Sequence, residues 1–319
     1  MRNDKKRVLW RASQIFASSF IAVAIIGTLV YFTQGREIPV LNPQGTIADQ
    51  QYILILITVA LGIFVVVPVF VLLTVIAVKY RAGNKKAKYD PELEGNKVLE
   101  FLWWGIPCVI ILALAIITYI STHALDPYKE LESSKTPVTV QVIALNGNWL
   151  FLYPEHDAAT LNFMNIPEDT PINLTITSDA PMNSFWVPAL AGQVYAMSGM
   201  STKLHIMADS EGSYQGTTAN ISGEHYADMR FKVYSMKEAE FTTWVKKAAA
   251  SDNMLTSATY TKLVEPSANK PEATYMLMVP NLFDDVIMKY MGHGETDTTE
   301  HTEEMTHNNE THSHEGMTH

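Results

Sequence analysis

Three stretches without a charged side chain, residues 12–35, 51–78 and 101–122, dominate the first part of this 319-residue chain and constrain what it can fold into. Each is near or above the roughly 20 residues that a helix needs to cross a bilayer core. No soluble domain solvates three such runs, so the amino-terminal part is expected to be membrane helices. Pro68 lies inside the second run, where its ring is expected to kink the helix.

Basic residues set the orientation, because positively charged flanks stay on the cytoplasmic side during insertion. Arg2, Lys5, Lys6, Arg7 and Arg11 precede the first run, and Lys79, Arg81, Lys85, Lys86, Lys88 and Lys97 surround the loop after the second. Between the first and second runs there is only Arg36. Residues after His123 are therefore expected on the outer face. The first run fits both a retained span and a cleaved signal; the retained span is the reading adopted, and the orientation holds for either.

From 136 to about 233, short β-branched and aromatic runs alternate with Gly, Pro, Asn and Asp: 138–144, 149–153, 172–177, 194–197, 203–208 and 231–234. That pattern predicts an antiparallel sandwich or barrel. Helical patterns follow at 236–250, 256–264 and 281–290, separated by Pro266, Pro271 and Pro280. From Gly292 onward Thr, Glu, His and Asn dominate without apolar periodicity, which predicts a disordered tail. The expected organisation is an amino-terminal span or signal with linker (1–50), a two-helix hairpin (51–125), a β-domain (126–235), a helical module (236–291) and the tail (292–319).

Composition narrows the chemistry. The net charge of -10 comes largely from the tail, whose seven acidic residues face no Lys or Arg, and no basic patch with interleaved aromatics points to nucleic acid. Cys108, the only cysteine, lies in the third apolar run, so the β-domain has neither a disulfide nor a thiolate metal site. His293, His301, His307, His312, His314 and His319 in the tail offer at most weak copper or zinc binding, and a solvated tail without catalytic role is expected.

Two motifs carry a resemblance. Met182-Asn183-Ser184-Phe185-Trp186-Val187-Pro188 is similar to the H-S-F-W-V-P segment of cytochrome oxidase subunit II, whose His binds copper. Gly216 to Met229, G-T-T-A-N-I-S-G-E-H-Y-A-D-M, aligns without gaps on that family's copper loop, G-Q-C-S-E-I-C-G-x-x-H-x-x-M. The alignment puts Asn183 and Tyr226 at the histidine positions, Thr218 and Ser222 at the bridging cysteines, and Asn220 at the glutamate. Only Met229 keeps its ligand type. Hydroxyls and amides are hard, neutral donors where copper needs thiolate and imidazole, so these six positions are expected to hold no metal.

A subunit II scaffold with replaced copper ligands resembles the quinol-oxidase branch of the haem-copper oxidases, and most of all subunit II of cytochrome bo-type ubiquinol oxidases. Further matches run through Asn96-Lys97, Thr122-His123-Ala124-Leu125, Tyr153-Pro154-Glu155 and Tyr195-Ala196-Met197. The resemblance implies a cupredoxin-like Greek-key domain on the periplasmic side of the inner membrane. It also implies a complex that oxidises quinol, reduces oxygen and translocates protons, with haems and copper in subunit I and no cofactor in this chain. Expected partners are subunit I, the other subunits, membrane lipid and, through the complex, quinol; neither nucleic acid nor cytochrome c is expected. Oxidases that accept cytochrome c carry Trp-x-Trp after the first strand, whereas this chain reads Gly147-Asn148-Trp149. Trp149 is read as core.

Glu100 opens Glu100-Phe101-Leu102-Trp103-Trp104-Gly105-Ile106-Pro107, which resembles the family's E-x-x-W-x-x-P, where the glutamate marks a cytoplasmic proton-uptake path. A carboxylate at the bilayer edge can gather protons and pass them on through water; the alternative reading is that it merely ends the span at headgroup level. Two other functions stay open: a cytochrome c oxidase subunit II with a degraded copper site, and a free-standing membrane-anchored binding module.

Overall fold

The computed structural model describes residues 38–81, 84, 95–267 and 270–291. The expected first span and the His-rich tail lie outside the described residues. The chain divides into two units, Met1–Pro43 and Gln44–His319. Among the described residues of the first, a 3-10 turn covers Pro39–Leu41.

Helix α1 covers Thr46–Lys79 and α2 covers Lys97–Ala124. Both are long and apolar enough to cross a membrane, with lengths of roughly 50 and 40 Å at 1.5 Å per residue against a hydrocarbon core of about 30 Å. Asn96 starts α2 by accepting from the backbone N–H groups of Val98 and Leu99 at 2.9 and 3.3 Å, which satisfies two of the orphan donors of a helix start. The helix runs unbroken through Pro68 in α1 and Pro107 in α2.

The β-domain contains β1 (Val138–Leu145), β2 (Asn148–Tyr153), β3 (Ala158–Leu161), β4 (Phe163–Pro167), β5 (Ile172–Ser178), β6 (Asn183–Trp186), β7 (Val194–Ala196), β8 (Thr202–Ile206), β9 (Gly212–Thr218) and β10 (Arg230–Met236). Three short helices follow, α3 (Glu238–Ala249), α4 (Ser257–Val264) and α5 (Leu282–Met291), with strands β11 (Met254–Leu255) and β12 (Ala273–Leu277) between them. One sheet has the order β11-β12-β3-β2-β1-β5-β8, the other β4-β10-β9-β6-β7.

This is the expected β-sandwich between membrane helices and short carboxy-terminal helices, with two corrections. It is not wholly antiparallel: β1 with β5, β4 with β10 and β11 with β12 are parallel. The partner of a strand is a long-range property that a local run of β-formers does not encode. The segment 236–291 is also not purely helical, because β12 pairs with β3 and extends the larger sheet.

Alternation along the strands of the larger sheet builds two cores. Val140, Val142, Trp149, Phe151, Tyr153, Leu174 and Ile176 point between the sheets, where they meet Phe185 and Phe231. Ile143, Leu145, Leu150, Leu152 and Leu161 point to the opposite face, which Leu263, Leu282, Phe283 and Val286 cover. The carboxy-terminal module therefore supplies one of the two hydrophobic layers of the domain. Trp149 is fully buried as expected, packed edge-on against Phe185 at 5.5 Å between ring centres.

Candidate functional site

Six positions aligned with copper ligands lie on three pieces of chain: Asn183 opens β6, Thr218 ends β9, and Asn220, Ser222, Tyr226 and Met229 lie on the loop that leads into β10. Strand pairing joins the first two, since β6 and β9 are antiparallel with Phe185 opposite Thr218. The structure brings Asn183 and Thr218 together. Both are buried, and the Thr218 hydroxyl donates to the Asn183 side-chain carbonyl at 3.3 Å and to the Asn220 backbone carbonyl at 3.5 Å.

The two amides are committed elsewhere. Asn183 Nδ2 donates to the Pro181 carbonyl at 2.8 Å, and Asn220 Nδ2 donates to the Met182 carbonyl at 3.0 Å. The Asn183 bond is local, two positions back along the chain, whereas the Asn220 bond spans 38 positions and ties the loop after β9 to the residue before β6. Met229 is buried within the main core, while Tyr226 is partly exposed and opens a short 3-10 turn, Tyr226–Asp228. A cavity of about 140 Å³ adjoins the loop, lined among others by Asn183, Ser222, His225 and Tyr226. Among the described residues no group of three or more His, Cys, Asp and Glu side chains is placed to hold a metal.

Beside this loop lies the β1–β2 hairpin. Gly147 has φ +85°, the left-handed region that suits glycine. A Cβ there would sit 2.3 Å from the Ser267 carbonyl oxygen and 3.4 Å from His225 Cβ. The reason is a polar knot beneath the turn: Asn148 Nδ2 donates to the Ser267 carbonyl at 3.0 Å, while Asn148 Oδ1 accepts from Lys270 N and Asn162 Nδ2, each at 2.8 Å. The segment after α4 is thereby laced onto the β1–β2 hairpin at Gly147.

Glu100 stands apart from these positions, in the first turn of α2, where its N–H donates to the Asn96 carbonyl at 2.9 Å. Its Oε1 lies 3.1 Å from where a Cβ on Gly95 would be.

One polar cluster escaped the sequence reading. The Asp179 side chain has no exposed surface, and its carboxylate accepts from Lys289 Nζ at 2.7 Å, Tyr290 Oη at 2.6 Å and Tyr260 Oη at 2.7 Å. It ties the end of β5 to α4 and α5. Burial, and then the hydrogen bond to Asp179, raise the pKa of Tyr260 and Tyr290; for Lys289 the hydrogen bond to Asp179 raises it first. The sequence shows only a Lys289-Tyr290 pair in the last turn of an amphipathic helix, with nothing to link it to Asp179.

Three family models match the chain: "Cytochrome C oxidase subunit II, transmembrane domain" over residues 44–120, "Cytochrome C oxidase subunit II, periplasmic domain" over 146–236, and "COX Aromatic Rich Motif" over 249–294. Similar relatives include the cytochrome bo(3) ubiquinol oxidase subunit 2 of Pseudomonas aeruginosa, 42% identical over 84% of this chain and 81% of its own. The ubiquinol oxidase subunit 2 of Acetobacter aceti is 41% identical over 80% and 84%. The quinol oxidase subunit 2 of Bacillus subtilis is 38% identical over 86% and 84%.

Proposed function

The chain belongs to the quinol-oxidase subunit II family, and we propose that it is the copper-free, non-catalytic subunit II of a ubiquinol oxidase that couples quinol oxidation and oxygen reduction to proton translocation. It is an inner-membrane protein with its carboxy-terminal domain on the periplasmic side. In this reading the haems, the copper and the quinol site belong to subunit I, against which α1 and α2 pack.

The observation that carries the copper-free reading is the donor set at the aligned ligand positions. Asn183, Thr218, Asn220, Ser222 and Tyr226 present amides and hydroxyls, and Asn183, Thr218 and Asn220 spend them on one another or on backbone carbonyls. Such a set does not fit a copper pair, which needs soft, anionic sulfur and imidazole nitrogen. Met229 alone is a ligand of the right softness. Electrons delivered from quinol inside the membrane need no relay in this domain. Glu100, in the first turn of α2, is read as the cytoplasmic mouth of the proton-uptake path on the resemblance of its motif to the family's E-x-x-W-x-x-P.

Purification of the native complex in mild detergent, with a haem spectrum and parallel assays of ubiquinol and reduced cytochrome c, tests this. Haem-bearing complex active on ubiquinol and inert towards cytochrome c is the expected result. Activity on cytochrome c alone would favour a copper-relay oxidase, and isolation without any haem-bearing partner would end the reading.

A further inference from the structure

At the outer edge of the larger sheet, strand β11 leaves apolar side chains that neither core uses. Met254 pairs in register with Met276 of β12, and the next pair is Leu255 with Leu277. Leu255, Leu277, Ala273 and Tyr275 belong to the second core, which fixes the face they point to. Residues one position away point to the opposite face. Met254 and Met276 therefore share that face, and so does Met278, whose N–H extends the ladder by donating to the Leu255 carbonyl at 3.2 Å.

Met254 is 49% exposed and Met278 50%, and Met276 is half-buried. None of the three belongs to either core cluster. Strand spacings place their Cα atoms in a triangle with sides of about 5, 7 and 8 Å. A methionine side chain has three rotatable bonds beyond Cα, long enough for all three sulfurs to reach one point above the face.

We propose that Met254, Met276 and Met278 form a binding site for a soft monovalent cation, reduced copper, held by three thioether sulfurs. Thioethers are neutral, polarizable donors that select Cu(I) over hard or borderline ions. No group of His, Cys or carboxylate side chains that would draw zinc is found among the described residues. Binding is simple coordination: no electron is transferred, and because a thioether carries no proton, none is released. That last property separates this site from any histidine site, whose ligands must lose protons before they bind metal.

The test uses the full chain in detergent, titrated anaerobically with Cu(I) against a chromogenic Cu(I) chelator, with excess Zn(II) to occupy histidine and carboxylate sites. At about pH 5, where imidazole is protonated, the wild-type chain should hold one equivalent of Cu(I), and its affinity should not change on raising the pH to neutrality. The triple variant M254L/M276L/M278L, which conserves side-chain volume, should lose that equivalent, whereas M288L/M291L on α5 should keep it. X-ray absorption at the copper edge of the loaded chain carrying Cys108→Ser, which removes the only thiol, should show sulfur scatterers only, which keeps the test decisive if the triple variant misfolds. Equal titrations of wild type and a folded triple variant, or nitrogen and oxygen scatterers at copper, would overturn the assignment.

Discussion

Asp179 and Lys289, 110 positions apart, meet at 2.7 Å across the junction between β5 and α5. The carboxylate has no exposed surface and the ammonium is half exposed, so the two ends are unequal. Removing the acid leaves two tyrosine hydroxyls and a lysine without their shared acceptor, whereas removing the lysine leaves the acid with two donors. Asp179→Ala should destabilise the docked module by about 2 to 3 kcal/mol, the scale of a lost buried charge-assisted hydrogen bond. Lys289→Ala should cost less, since a solvated partner contributes little. Limited proteolysis after α3 and thermal unfolding would show the ranking; equal effects would refute it.

Gly147 separates the β1–β2 turn from the Ser267 carbonyl. Gly147→Ala forces a Cβ into the left-handed region, at roughly 1 to 2 kcal/mol, and against a backbone oxygen 2.3 Å away. A drop in melting temperature with faster hydrogen exchange at Lys270 N, which is bonded to Asn148, is expected. An indole at 147 should be tolerated only if the segment around 267 is displaced, which the same exchange measurement reports.

Gly45 caps α1 where the helix leaves the β-domain. Its φ is extended and unstrained, yet an added Cβ would lie 2.4 Å from the Met207 carbonyl oxygen and 3.2 Å from that of Leu190. Gly45→Ala should therefore act by contact alone. It should weaken the bonds from Ala48 N to Leu190 O and from Asp209 N to Gln44 O, seen as lower complex yield at unchanged membrane insertion.

His205 on β8 is buried, and burial lowers its pKa, opposed by Glu130 and assisted by Lys203. Its Nδ1 faces Asn173 Oδ1 at 2.8 Å. The unfolded chain thus takes up a proton near pH 6.5 that the folded chain refuses until lower pH. Stability is full above that range and is lost as pH falls through it. Melting curves between about pH 7 and 5 should show this slope, and His205→Gln should flatten it.

Glu100→Ala should slow oxygen reduction by the assembled complex with haem content unchanged, and Glu100→Asp should recover part of the rate. Equal turnover in an oxygen electrode for all three proteins would remove the proton-uptake role.

Much of the domain was legible because its β-branched runs are local. Runs 138–144, 149–153 and 172–177 became β1, β2 and β5. Strands β3 and β9 were not read: Ala158-Ala159-Thr160-Leu161 and Gly212-Ser213-Tyr214-Gln215-Gly216-Thr217-Thr218 are small, glycine-bearing or polar, and only pairing makes them strands. Gly216 is required there because the Phe231 ring occupies the space of its Cβ, 2.2 Å away. Of the site, Asn183 and Thr218 were visible through their motifs. Asp179 was invisible because its three partners are brought to it by tertiary packing alone.

The anchoring of α1 has a mechanical consequence. The helix starts on the β-domain itself: Gln44 N donates to the Ala189 carbonyl at 2.8 Å, and Thr46 Oγ1 to Asp209 Oδ1 at 3.2 Å. A span rooted this way acts as a lever with its fulcrum in the sheet, so thinning the surrounding lipid, which tilts helices, would load the loops at 189–192 and 207–210 before any other part of the domain yields.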